Sequence, residues 1–143
     1  MKKLILLACS LSSVGFSSAQ PLEKHEWEHR VILLFAASGA DEQLQQQYDL
    51  LTAHPEEVTE RDLKIYRVFP EYALAPGGER RGSRFSESLC RIYETNPRSG
   101  FTFLLIGKDG TEKLRSETVV SLEKLFSLID SMPMRKAEMR RRN

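Results

Sequence analysis

Val31-Ile32-Leu33-Leu34-Phe35 runs into Ala36-Ala37-Ser38-Gly39-Ala40-Asp41-Glu42-Gln43, an apolar block that gives way to small residues and then to helix formers. Five apolar residues in succession predict a strand covered on both faces. Asp41 is a good N-cap for a helix in which Leu44, Tyr48 and Leu51 fall on one stripe. A strand feeding a helix over so short a turn brings the positive end of the helix dipole to the turn, where it would lower the pKa of a thiol. This turn contains no cysteine.

Downstream, the pattern alternates between strand and helix signals. Pro55 is expected to end the first helix, since proline lacks an N–H and crowds the preceding turn. Leu63 to Phe69 reads as a second strand, with Leu63, Ile65 and Phe69 facing one way and Tyr66 and Val68 flanking. Pro70 to Gly82 reads as a loop, and Ser83 or Ser86 as the cap of a helix with the stripe Phe85, Leu89, Ile92 and Tyr93. Asn96-Pro97 breaks that helix. Phe101-Thr102-Phe103-Leu104-Leu105-Ile106 is a third strand, and Asp109-Gly110 closes a hairpin onto Thr111 to Arg115. Ser121 caps a last helix carrying Leu122, Leu125, Phe126 and Ile129, with Val120 and Leu125 placed as a hydrophobic staple and Pro133 as its stop. The expected architecture is α/β, a four-stranded mixed sheet in the order βαβ-α-ββα flanked by helices. The first unit needs a right-handed crossover. This is the thioredoxin-like order of elements.

Composition sets the setting. Lys2-Lys3, the mostly apolar or small Leu4 to Phe16, and Ser17-Ser18-Ala19 have the form of a signal peptide, with cleavage expected after Ala19. The rival lipoprotein reading of Leu6-Leu7-Ala8-Cys9 has too short an apolar run before Cys9. The expected product is periplasmic or secreted. Its parts are a lead-in over 20–26, one domain over 27–134 and a basic tail over 135–143. Residues 20–134 carry 14 basic and 19 acidic side chains, whereas the tail carries five basic and one acidic. Such an acidic body is not expected to bind nucleic acid, and no other stretch is apolar for long enough to span a membrane. With Cys9 removed, Cys90 is the only thiol, so no internal disulfide is expected and stability must come from packing.

The block Phe101 to Gly110 and the later Ile129-Asp130-Ser131-Met132-Pro133-Met134-Arg135 resemble the domain of unknown function 4174 family. Trp27 with Arg30, and Glu60-Arg61-Asp62-Leu63, match its other landmarks, so the resemblance runs from about Trp27 to Met139. That family occurs alone in exported bacterial proteins and within vertebrate extracellular proteins that include the sushi-repeat-containing ones. The resemblance implies a thioredoxin-like fold related to peroxiredoxins and brings no established activity.

Four constellations are candidates for chemistry. His25-Glu26-Trp27-Glu28-His29 fits the H-E-x-x-H pattern of zinc proteases, where two histidines one helical turn apart bind the metal. Here it abuts a strand, and His54 is the only other histidine. It is therefore read as a lead-in with Trp27 packed on the sheet, and neither a metal nor another cofactor is expected. At the strand-to-helix turn, alignment on Phe35 puts the thioredoxin cysteine pair near Ala40 and Gln43, and the Thr-x-x-Cys of peroxiredoxins is missing as well. Arg98-Ser99-Gly100-Phe101 has the spacing of the peroxiredoxin arginine that orients peroxide, with Phe101 standing where thioredoxins have a cis-proline. Cys90, at the edge of its helix stripe, has Arg84 and Arg91 near in sequence to favour a thiolate.

The leading expectation is a redox-inactive binding or accessory module. Any ligand site is expected among Ser38, Asp41, Gln43, Arg98 and Phe101. The rival is a one-cysteine peroxidase or thiol-dependent reductase using Cys90. A third reading is an electrostatic adaptor, in which Arg80, Arg81 and Arg84, or Arg140-Arg141-Arg142, meet an envelope protein or an anionic ligand.

Overall fold

The apolar run forms β1 (Arg30–Phe35), and all six of its residues are buried. A computed structural model describes residues 20–143. The leader, its cleavage point and the Cys9 lipobox lie outside the described residues. β1 sits at the middle of the sheet because it has a partner on each side. It pairs in parallel with β2 (Leu63–Val68), Ile32 opposite Ile65, and antiparallel with β5 (Thr102–Ile106), Leu33 opposite Leu104. α1 (Glu42–Thr52) and α2 (Pro55–Glu60) supply the crossover between the parallel strands. β6 (Glu112–Ser116) folds back on β5 through the Asp109-Gly110 turn, where Gly110 takes φ +79°, a conformation most residues avoid.

The sheet has six strands, ordered β4-β3-β2-β1-β5-β6, and not the four expected from sequence. The extra pair is the hairpin of β3 (Ala73–Leu74) and β4 (Arg80–Arg81), inside the stretch read as a loop. Gly77 and Gly78, at φ +88° and +91°, turn the chain, and Ala75 N–H donates to Glu79 O at 2.8 Å. Two-residue strands are too short to show a period-2 pattern.

The alternation along β1 divides the core. Ile32 and Leu34 face the layer of α1 and α4 (Leu122–Asp130), with Leu44, Leu51, Leu125 and Ile129. Val31, Leu33 and Phe35 face α3 (Ser83–Ile92), with Leu89, Phe85 and Tyr93. Each fully buried Leu, Ile or Phe contributes roughly 2 kcal/mol relative to its exposed state. Gln47 ties the helical layer together, its side-chain amide donating to Val120 O at 3.1 Å while its carbonyl accepts from Val120 N–H at 2.7 Å. Val120 and Leu125 share one cluster, as a staple would place them.

Several local expectations need correction. α1 and α4 end at Thr52 and Asp130, ahead of Pro55 and Pro133 as expected, but each proline also opens a further helix that was not expected, at a first turn where the missing N–H costs nothing. Gly82, not a serine, is the N-cap of α3, while Ser86 is buried within the helix and donates its hydroxyl to Phe69 O. Ile92 lies outside the packed stripe, 41% exposed, and Trp27 projects into solvent, 63% exposed. The segment expected as a basic tail is α5 (Pro133–Arg142), and its Arg135 is buried.

What docks α5 is charge. Arg30 is 1% exposed and turns both terminal nitrogens toward Glu138 of α5, at 3.3 and 3.2 Å. Lys108 Nζ donates to Glu138 at 2.6 Å and to Asp62 at 2.9 Å. Arg135 donates to Asp130 at 3.0 Å and to Glu60 at 2.8 Å, and Arg61 joins Asp130 at 2.8 Å. Burial pushes the Glu138 carboxyl up, but hydrogen bonds from Lys108 and Arg30 outweigh it and hold the group below its ordinary 4.5. A carboxyl lowered on folding stabilises fully at neutral pH and loses that contribution as pH falls through the folded value. Glu138→Gln is expected to cost about 3 kcal/mol in urea unfolding at pH 7, since Arg30 and Lys108 would lose their shared counter-charge. Arg30→Met combined with Glu138→Leu should cost less than Glu138→Gln alone. An unchanged midpoint for Glu138→Gln contradicts this account.

Candidate functional site

At the end of β1 the chain leaves the sheet through Ala36, buried, and the exposed Ala37 to Ala40. Asp41 is the N-cap, its Oδ1 accepting from Leu44 N–H at 2.9 Å. Ser38 Oγ accepts from Ala40 N–H at 3.3 Å. Both side chains are therefore committed to shaping the turn. Neither Ala40 nor Gln43, the residues expected from sequence at the place of a cysteine pair, carries a side chain that can act as a redox nucleophile.

The five expected site residues converge only in part. Gln43 and Phe101 share one open pocket of about 260 Å³, with Ser99, Gly100, Thr102 and Glu117 as its other walls. Gly100, at φ +130°, makes the bend that carries the chain from the short turn Pro97–Ser99 into β5. Phe101 itself is 4% exposed and belongs to the core facing α1. Arg98 is exposed and does not line the pocket, and Glu117 adds a negative charge there. Gln43 and Thr102 are the polar groups best placed to hydrogen-bond a neutral polar ligand. An anion would meet Glu117.

Cys90 lies elsewhere. It packs on α3 against the Leu33, Phe35 and Tyr66 cluster, across the sheet from α1. Burial raises its thiol pKa above the ordinary 9.0, and a hydrogen bond with Ser86 only partly offsets the rise. Arg84 and Arg91, near in sequence, do not bring about a thiolate.

The H-E-x-x-H segment does not form the helix its pattern needs. Only Glu23–His25 make a helical turn, and Trp27 at φ +68° breaks the path between the two histidines. His25 Nε2 shares a hydrogen bond with Tyr66 Oη at 2.7 Å, and its Nδ1 lies 3.3 Å from Nδ1 of His29. Burial, then the charges of His29, Lys24 and Lys64, lower the His25 pKa from 6.5 to about 4. It is a neutral core histidine at physiological pH. Among the described residues, no group of three or more His, Cys, Asp or Glu is placed to hold a metal, and no helix is long and apolar enough to cross a membrane.

A second cavity, about 250 Å³, opens at the far end of β1, between the Gly107–Asp109 turn and Met132-Pro133-Met134. Its cations Arg30, Lys108 and Lys113 are all salt-bridged, to Glu138, Asp62 and Asp109. Sequence reasoning noted Arg30, Lys108 and Arg135 only as landmarks and did not foresee their convergence. The one available signal was an arginine opening an otherwise apolar strand.

The Cys90 geometry yields a direct expectation. Alkylation of the folded protein by iodoacetamide should be slow at pH 7 and rise only as pH passes 9, because the thiolate is the reactive form. A rate profile with its midpoint below 8 contradicts the assigned environment.

Comparison with known proteins fits this architecture. The reduced 2-Cys peroxiredoxin of Plasmodium vivax superposes with a TM-score of 0.57 at 16% identity, covering 81% of this chain and 84% of that one. At such identity the likeness shows the fold, an α/β thioredoxin-like one, and nothing finer. No curated protein matches. A family model described as a domain of unknown function (DUF4174) matches residues 21–138, and the chain belongs to that family.

Proposed function

We propose that the protein is an exported thioredoxin-like module that binds or assists a partner and carries out no thiol-disulfide or peroxide chemistry. One observation carries this reading: at the turn where the scaffold would activate a sulfur, Ala40 and Gln43 stand beside a capped helix start. Cys90 offers no substitute, being half-buried across the sheet with its thiol pushed toward the neutral form. Export rests on the basic Lys2-Lys3, the apolar stretch after it and the small residues up to Ala19. The binding surface belonging to this reading is the open pocket of Gln43, Phe101 and Thr102. Ser38 and Asp41 act as the residues that fix its turn, and Arg98 stands outside it.

The test uses residues 20–143 as purified protein. Hydrogen peroxide consumption with dithiothreitol, and insulin reduction, should match the protein-free controls, and Cys90→Ser should change neither. Turnover that Cys90→Ser abolishes would overturn the proposal in favour of a one-cysteine peroxidase or reductase.

A further inference from the structure

The strand register places Arg67 of β2, Leu74 of β3 and Arg80 of β4 in one row across the sheet. Directly opposed residues on neighbouring strands point to the same face, here the face covered by α1. Arg67 stacks on Tyr48 of α1, its guanidinium carbon 4.1 Å from the ring centre, and Arg80 stacks on Tyr72 at 3.9 Å. Neither arginine takes part in any ion pair among the described residues. The contrast with the opposite end of the sheet is sharp, because Arg30, Arg61 and Arg135 are all paired there. The nearest acidic residues in sequence are Glu71, exposed on the turn, and Glu79, which is engaged by Arg81 at 3.2 Å.

A guanidinium lying flat on an aromatic ring has used its face and keeps its edge, the donor fork that matches a carboxylate. Stacking also holds the long side chain in place, so less freedom is lost when an anion arrives. The two arginines stand on strands two spacings apart, about 10 Å, with Leu74 between them. Arg80 is exposed and Arg67 and Leu74 are half-buried at the margin of α1, and the row lies toward the carboxyl ends of the parallel strands, where open α/β sheets present ligands. An extended peptide added to the free edge of β4 would lie beside Arg80 and leave Arg67 out of reach. A bilayer surface would call for apolar anchors, and the exposed Trp27, Ile92 and Met134 are on other elements.

We propose that the Arg67–Leu74–Arg80 row, with Tyr48 and Tyr72 beneath it, is a docking surface for a linear acidic polysaccharide lying across the strands. This gives the binding-module reading a partner and rests on that reading for its setting. It does not use Cys90 or the Gln43 pocket, so a redox activity found above would leave this site standing.

The probe is polygalacturonate oligomers titrated into isotope-labelled residues 20–143 and followed by amide shifts. Shifts should centre on Arg67, Leu74 and Arg80, and binding should weaken as salt is raised. Arg80→Glu, at an exposed position, should weaken binding about tenfold, as loss of a charge-assisted contact would. Arg67→Lys, which keeps the charge but loses the planar stack, should fall between. Replacing Arg140, Arg141 and Arg142 together by alanine should change nothing. Shifts centred on those three arginines instead, no shift at the row, or equal binding of neutral pullulan overturns the proposal. Tighter binding of polyglutamate or of equimolar phosphatidylcholine–phosphatidylglycerol vesicles also overturns it, in favour of an acidic protein or a membrane surface.

Discussion

A guanidinium at the start of the central strand constrains much of this molecule. Arg30 opens a strand whose other residues are Val, Ile, Leu, Leu and Phe, and it is as buried as they are. An unpaired charge in that position would cost several kcal/mol, so something must meet it. Glu138 does, and Lys108 and Asp62 extend the contact to the β5–β6 turn and to the residue before β2. Arg135, Asp130, Arg61 and Glu60 form a second set that fastens α5 to α4 and α2. The C-terminal helix presents little apolar surface and is held by these paired charges. Seven of the residues that carry the family resemblance, Arg30, Glu60, Arg61, Asp62, Lys108, Asp130 and Arg135, meet here, which gives that part of the pattern a structural reason.

One end of the sheet is closed by ion pairs, and the other end is built differently. The parallel strands β1 and β2 finish there, α1 begins there, and the hairpin β3–β4 extends the surface. The turn after β1 has an N-capped helix start beside a glycine-bent approach to β5. What it lacks is the sulfur. A scaffold of this kind can lose its nucleophile without losing stability, since the core on both faces of β1 does not involve the turn residues. The two recognition surfaces proposed above, the polar pocket around Gln43 and the arginines held on tyrosine rings, both lie toward this end.

The fold was legible where signals were long. The apolar runs at Val31 to Phe35 and Phe101 to Ile106, the Asp41 and Ser121 caps and the Asp109-Gly110 turn all read correctly. So did the shared face of Leu63, Ile65 and Phe69. Errors came from residues with two structural meanings. Proline excludes a helix interior but suits a helix start: α1 and α4 stop ahead of Pro55 and Pro133 as expected, while the helices that these prolines open were missed. Two-residue strands have no period to detect, so β3 and β4 were invisible. The terminal arginines suggested a solvated tail because Glu60, one partner of Arg135, and Arg30, one partner of Glu138, are 75 and 108 residues away in sequence. The candidate site was half legible. Gln43 and Phe101 do meet, whereas Ser38 and Asp41 are taken up by backbone amides. Arg67 escaped notice because an arginine within a strand carries no local sign that it lies on a ring from α1.

The proposed function rests on a turn that could activate a thiol and holds none. Building Ala40→Cys with Gln43→Cys in a Cys90→Ser background tests this most directly, by measuring the intramolecular disulfide formed in a defined glutathione buffer. The account predicts a disulfide that forms reversibly between the two introduced cysteines and confers insulin reduction absent from the parent. A pair that stays reduced under oxidising glutathione, in a variant that still folds, would contradict it.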